Sequence, residues 1–110
     1  MAFKSIDSIE EVEQFLQDNE LAFIYITQPN CSVCHGLEPQ ITPLFKKYPS
    51  IEARKVDASE VPKVAGKFNV FTAPVALLFV DSKEYIRKAR FIPVAALNNE
   101  IKRIYENIAN

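Results

Sequence analysis

Two stretches of the sequence are apolar almost without interruption, and they constrain the fold more than any other feature. Leu21–Thr27 reads LAFIYIT, and Val75–Val80 reads VALLFV. Short runs of this kind, rich in aromatic and β-branched side chains, are typical of strands that are buried on both faces. Helices must then cover the sheet on both sides, so we expect an α/β protein.

Helical and strand patterns alternate around these two runs. The predicted elements, in chain order, are an extended segment over residues 2–4, a helix over 7–19 with Asp7 as N-cap, the strand Leu21–Thr27, a helix from Cys31 interrupted by Pro39 and Pro43, a strand over 51–56, a helix from 59 or 60 to 68, the strand Val75–Val80, a turn over 81–84, a strand over 85–91 and a helix over 94–107. This β-α-β-α-β-α-β-β-α order predicts parallel strands joined by crossover helices, with a final hairpin that makes the sheet mixed. The 110 residues suit one domain, residues 1–110.

Charge and apolar run length exclude two classes of partner. The 13 basic and 14 acidic residues nearly balance and form no basic stripe, so nucleic acid is not expected to bind. The longest apolar run is too short to span a bilayer, and the first residues include acids where a secretory signal would be apolar. We therefore expect a cytoplasmic protein that does not bind a membrane. In that compartment disulfides are uncommon except as redox or catalytic devices.

Cys31-Ser-Val-Cys34 is the motif that carries chemistry. A C-x-x-C pair between a buried strand and the start of a helix is typical of a redox site. Free amides and the dipole at a helix N-terminus stabilise an anion, so Cys31 should ionise more readily than an ordinary thiol and attack a substrate disulfide. Cys34 lies one turn later and could resolve the resulting mixed disulfide.

Other interpretations of the two cysteines stay open at this point. They could be two buried, inert thiols, or Cys31 could hold an iron–sulfur cluster shared by two copies of the chain. Together with His35 they also spell C-x-x-C-H, the attachment signature of c-type haem, and they offer three of the four ligands of a zinc site. We expect neither a metal nor a cofactor, because His35 is the one histidine and Met1 the one methionine.

Over roughly residues 2–108 the chain resembles the thioredoxin family. The shared features are the buried strand before Cys31 and Cys34, Pro39 five residues after Cys34, Val56-Asp57 at the end of a strand, and Thr72-Ala73-Pro74 before VALLFV. The resemblance implies a thioredoxin fold: a single domain with a central mixed β-sheet flanked by helices. It also implies a cis Pro74 beside the cysteines, a substrate loop of Thr72, Ala73 and Pro74, and an Ala73 backbone that pairs with an extended peptide. The expected state is a monomer, and the expected partners are protein disulfide substrates and a recycling reductase.

The chain departs from the family pattern at several positions. Ser32-Val33 replaces Gly-Pro between the cysteines, which predicts a pair less reducing than the thioredoxin value of about −270 mV. Tyr25 stands where the family has a buried acid. Lys55 stands where the family has a lysine beside that acid, so we expect the lysine to be retained without the acid as its partner. Arg90 replaces a glycine on the substrate face, and His35 could tune the cysteine pair.

These features leave three candidate functions. We favour dithiol exchange, with Cys31 as the nucleophile and Cys34 as the resolving thiol. The same T-x-P loop also resembles that of glutaredoxins, which would process mixed disulfides with low-molecular-weight thiols. The missing acid and the absence of tryptophan support instead an interaction module whose cysteines do not turn over.

Overall fold

The computed structural model describes residues 3–109, which form five strands and four α-helices in the predicted order. The elements are β1 (Lys4–Ile6), α1 (Ile9–Asp18), β2 (Leu21–Thr27), α2 (Ser32–Ile41), a 3₁₀ turn (Thr42–Lys46), β3 (Glu52–Asp57), α3 (Lys63–Phe68), β4 (Val75–Val80), β5 (Lys83–Ala89) and α4 (Val94–Ala109).

The strands form one mixed sheet in the order β1-β3-β2-β4-β5. β1, β3 and β2 run parallel, whereas β4 and β5 are antiparallel to their neighbours. β2 and β4 therefore lie inside the sheet, where both faces of a strand are covered. All residues of both strands are buried, which confirms the prediction from their apolar sequences.

Alternate side chains of β2 enter two different halves of the core. Phe23 and Tyr25 pack in the half that contains Leu37 of α2 and Leu97 of α4. The intervening side chains of β2 pack against α1 and α3 in the other half. They are Ala22, Ile24 and Ile26, and the helices contribute Val12 and Phe15 of α1 and Val64 and Phe68 of α3. The period-two alternation of a strand thus divides the helices into two layers, one on each side of the sheet.

Several predicted element ends were wrong by a few residues. The N-cap of α1 is Ser8 rather than Asp7, because the Ser8 hydroxyl accepts the Glu11 N–H at 3.1 Å. β1 covers Lys4–Ile6 rather than residues 2–4, and Ala2 lies outside the described residues. The hairpin turn consists of two residues, Asp81 and Ser82, both with positive φ, so β5 begins at Lys83 rather than at residue 85. β5 ends at Ala89 rather than at residue 91.

The third and second helices also differ from expectation. α3 begins only at Lys63, after Pro62 as its N-cap, since residues 58–60 form a turn after β3. α2 continues through Pro39 to Ile41 and then tightens into the 3₁₀ turn, with Pro43 near its start. The type of helix therefore changes at Pro43, whereas Pro39 lies within α2. Of the helices within residues 3–109, none has both the length and the apolarity needed to cross a bilayer.

Candidate active site

The cysteine pair lies where β2 leads into α2. Residues 28–30 form a short connection, Cys31 is the N-cap of α2, and Cys34 lies in its first turn. A disulfide joins the two residues, whose Cα atoms are 5.2 Å apart. Cys34 is completely buried, whereas Cys31 is partly exposed. Only the first cysteine can therefore be reached from solvent without opening the fold.

The sulfur of Cys31 takes the place of a helix-capping oxygen. It accepts the backbone N–H of Cys34 at 3.1 Å, and the Cys31 carbonyl accepts the His35 N–H at 3.2 Å. An N–H at the end of a helix has no intrahelical partner, and the helix dipole adds positive potential there. This position would stabilise a Cys31 thiolate once the disulfide is reduced.

The loop before β4 lies at the same end of the sheet. Ile26 near the end of β2 pairs with Val75 at the start of β4, so residues 72–74 stand beside the connection that leads to Cys31. The Ala73–Pro74 peptide is cis, as the resemblance implied. Pro74 is buried, Ala73 partly exposed and Thr72 exposed. Within residues 3–109 no backbone hydrogen bond engages Ala73.

Arg87 on β5 fixes the start of this loop. Its guanidinium donates hydrogen bonds to the carbonyls of Phe68 and Asn69, at the end of α3, and pairs with the Glu84 carboxylate at 2.7 Å. Hydrogen bonds with Arg87 lower the pKa of Glu84 and raise that of Arg87. The loop is thus anchored to the hairpin at one end and enters β4 at the other.

Tyr25 connects the central strand to α2. Its side chain is fully buried, and its hydroxyl donates a hydrogen bond of 2.7 Å to the Cys34 carbonyl. Burial raises the pKa of the phenol above its usual value, and the negative charge of Glu38 raises it further. A phenol of this kind cannot accept the Cys34 proton near neutral pH, so Tyr25 acts through packing and this hydrogen bond.

Lys55 lacks the strand acid of the family pattern but is paired with a residue of α2. Its Nζ lies 3.3 Å from Oε2 of Glu38, a buried residue of α2 that is 8% exposed. The same carboxylate oxygen accepts the backbone N–H of Phe3 at 3.0 Å. The buried acid that pairs with Lys55 is thus supplied by the helix, whereas the family pattern places an acid on the central strand.

Glu38 was not predicted from the sequence, although two signals point to it. Glu38 follows Cys34 by four residues and therefore shares its buried helix face with Cys34 and Ile41. Lys55 shares the inward face of β3 with Ile51 and Ala53, where a charged group needs a counter-ion. A search for a carboxylate on the facing helix would have found the pair.

His35 is exposed on α2. Its Nε2 lies 3.0 Å from the Pro29 carbonyl, and since a carbonyl can only accept, this nitrogen carries the proton. His35 therefore ties the helix to the connection before Cys31. It also lines a cleft of about 210 Å³ together with Glu38, Lys55 and Asp57. Within residues 3–109 there is no group of three or more His, Cys, Asp or Glu arranged to hold a metal ion.

Arg90 follows β5 directly and faces the cysteine end of the molecule. Its backbone has a left-handed φ of 68°, and its N–H donates to the Pro74 carbonyl at 2.8 Å. The side chains of Arg90 and Phe91 are exposed. Arg90 thus lies beside the Pro74 loop, where the resemblance placed the family's glycine.

Comparisons with known proteins agree with this geometry. The family model described as Thioredoxin matches residues 5–103. The thioredoxin-like protein YdfQ of Bacillus subtilis is 40% identical over 100 residues, which is 91% of this chain and 89% of that protein.

Solved structures show the same fold at lower identity. A Plasmodium falciparum thioredoxin has a TM-score of 0.81 and 23% identity, covering 96% of this chain and 98% of its own. A Fasciola hepatica thioredoxin has a TM-score of 0.83 and 24% identity, covering 91% and 97%. Likenesses at this identity establish the thioredoxin fold.

Proposed function

Because the chain belongs to the thioredoxin family, we propose that it is a thiol–disulfide oxidoreductase with Cys31 as the nucleophile and Cys34 as the resolving thiol. The observation that carries the proposal is the position of the Cys31 sulfur, which caps α2 and accepts the Cys34 N–H at 3.1 Å. This donor favours a thiolate at Cys31, the form that attacks disulfides. The burial of Cys34 suits a thiol that reacts only with a neighbouring sulfur.

Two exchange steps complete the reaction. In the first step, the Cys31 thiolate attacks one sulfur of a substrate disulfide, forming a mixed disulfide and releasing the other substrate sulfur as a thiolate. In the second step, the Cys34 thiolate attacks the Cys31 sulfur, and the remaining substrate sulfur leaves. Two electrons pass to the substrate, and the protein is left with the Cys31–Cys34 disulfide. A dithiol must then reduce the Cys31–Cys34 disulfide to restore the two thiols. We propose that a reductase protein is this reductant.

We propose that Thr72, Ala73 and Pro74 bind the substrate as an extended peptide. The support is the Ala73 backbone, which has no hydrogen-bond partner within residues 3–109, at an exposed edge beside the cysteines. Pairing along such an edge uses main-chain groups, so it accepts many sequences. This mode favours protein disulfides over small mixed disulfides. A cytoplasmic location remains part of the proposal.

The test is disulfide reduction by the wild-type chain and by Cys31→Ser and Cys34→Ser variants. A protein disulfide such as insulin and glutathionylated cysteine are offered as alternative substrates, with dithiothreitol as recycling reductant. We expect turnover of the protein disulfide by the wild type only. In a separate reaction without dithiothreitol, the pre-reduced Cys34→Ser variant should accumulate a mixed disulfide with the protein substrate through Cys31, because the second step is blocked.

The variants also separate the rival functions. Turnover of the small mixed disulfide by Cys34→Ser would favour the glutaredoxin-like reaction, which needs one protein thiol. The absence of turnover with every substrate, together with no trapped adduct on Cys34→Ser, would contradict the proposal. It would favour a binding module instead.

A further inference from the structure

Exposed hydrophobic side chains concentrate around the cysteine pair. Within residues 3–109, four large hydrophobic side chains are strongly exposed: Val33 (59%), Phe71 (82%), Tyr85 (57%) and Phe91 (81%). Three of the four lie in segments at the cysteine end of the sheet, whereas Tyr85 lies near the opposite end of the hairpin. Val33 stands between the two cysteines, Phe71 precedes the Pro74 loop, and Phe91 follows Arg90. A cluster of exposed apolar groups marks a contact surface for another molecule.

A groove runs from Val33 along α2 to the segment after β5. It encloses about 430 Å³ and is lined by apolar groups of both segments, among them Val33, Leu37, Phe91 and Pro93. Arg90 is the one charged residue among its lining, as far as the described chain extends. We call this surface the Arg90 groove.

The Arg90 side chain is free to bind a ligand. No hydrogen bond or ion pair within residues 3–109 engages its guanidinium, whereas Arg87 and Lys88 on the same hairpin are paired with Glu84 and Glu100. The backbone of Arg90 is fixed by its hydrogen bond to Pro74. A positive charge is therefore held beside the substrate loop without a partner of its own.

We propose that the Arg90 groove selects substrates in which the segment next to the disulfide carries an apolar side chain and a carboxylate. The apolar side chain lies between Val33 and Phe91, and the carboxylate pairs with Arg90. This inference rests on the proposed function, since it names the substrate class of the same site. The unpaired cation supplies the charge complementarity, and the apolar lining supplies the contact area.

The test uses three peptides that contain one intramolecular disulfide and differ at a single position. Each peptide has phenylalanine beside the attacked cysteine, with glutamate, glutamine or lysine two residues further on. Side chains two residues apart share a face of an extended peptide. The second-order rate constant is measured for reduction by the pre-reduced full chain. We expect the glutamate peptide to react about three- to fivefold faster than the glutamine peptide at low salt, and the lysine peptide to react slowest.

Charge reversal at Arg90 gives the sharper result. Arg90→Gln should bring the three rates together, and Arg90→Glu should make the lysine peptide the fastest. Arg103→Glu is the matched control, because it changes the net charge equally. Arg103 lies nine residues beyond Val94 on α4, about 14 Å along the helix. It should leave the wild-type order intact. Circular dichroism checks that each variant is folded.

The outcomes separate this inference from the function on which it rests. Equal rates for the three peptides with the wild type would overturn the Arg90 groove as a selective site while leaving oxidoreductase activity in place. An Arg103→Glu effect as large as that of Arg90→Glu would also overturn it, because net charge would then explain the preference. Failure to reduce any disulfide would contradict the proposed function itself. A glutamate preference that disappears in 1 M salt would support an ion pair at this exposed site.

Discussion

The Glu38–Lys55 pair should contribute measurably to stability, and its two partners should not be equivalent. The charged atoms are 3.3 Å apart, which corresponds to about 5 kcal/mol of gross attraction at an effective dielectric constant of about 20. Loss of hydration offsets most of that attraction. We therefore expect a net coupling between the two side chains of about 1–2 kcal/mol.

The asymmetry follows from which charge each substitution leaves behind. The Glu38 side chain is 10% exposed and the Lys55 side chain 29% exposed. Lys55→Met leaves a carboxylate buried without its counter-ion, whereas Glu38→Gln leaves a lysine that can still reach water. We expect Lys55→Met to lower the free energy of unfolding by about 2–3 kcal/mol and Glu38→Gln by about 1–2 kcal/mol. The glutamine can still accept the Phe3 N–H, so that contact is kept.

Urea unfolding of the wild type, both single variants and the double variant measures these quantities. The double variant should be more stable than the sum of the single effects predicts. The exposed pair Lys67–Glu13, at 3.9 Å, is the control, and its cycle should give under about 0.5 kcal/mol. Additive effects at Glu38 and Lys55, or a larger loss for Glu38→Gln than for Lys55→Met, would refute the reasoning.

Three further predictions concern redox and pH. Equilibration with glutathione buffers should give a Cys31–Cys34 potential above about −270 mV, because Ser32-Val33 lacks the stiffening proline that thioredoxins carry between their cysteines; a lower value would contradict this. The raised pKa of Tyr25 keeps its phenol protonated in the folded state, so stability is unaffected below pH 10 and falls as pH rises through 10. Between pH 10 and 11 the free energy of unfolding of Tyr25→Phe should fall by about 1 kcal/mol less than that of the wild type. The same pH slope in both proteins would refute this role of Tyr25. The pKa of Glu84 is lowered by Arg87, so its stabilisation is present at neutral pH and is lost as pH falls through the lowered value. On acidification the free energy of unfolding of Glu84→Gln should fall less than that of the wild type, by on the order of 0.5 kcal/mol. An equal fall in both proteins would argue against this role of Glu84.

The sheet could be predicted from the sequence because β2 and β4 are apolar along their whole length. Few other structures accommodate such runs. The ends of α1 were harder to place, since Asp7 and Ser8 are both good capping residues and only the geometry decides between them. The start of α3 was missed because Ser59 and Glu60 suit the start of a helix but belong to the turn that follows β3, ahead of Pro62.

The cysteine site was predictable only as far as it depends on spacing along the chain. Cys31, Cys34 and Pro74 follow from a local motif and a loop, and the structure places these segments at one end of the sheet. Glu38 joins Lys55 across 17 residues; its neighbours in sequence mark each residue as facing inward, but no local spacing pairs one with the other. Such a pair is determined by the packing of α2 on β3, which a pattern of hydrophobic residues does not specify.

The packing of α2 also explains how the chain can lack an acid on its central strand. Tyr25 and Lys55 are register partners on adjacent strands, so both side chains lie on the sheet face that α2 covers. The Tyr25 phenol gives its hydrogen bond to Cys34, and the Lys55 ammonium pairs with Glu38 one helical turn further on. Tyr25 and Lys55 therefore contact successive turns of the same helix, α2. The position of Cys34 relative to the sheet is fixed by one neutral contact and one charged contact, and a carboxylate on β2 is not needed to balance Lys55.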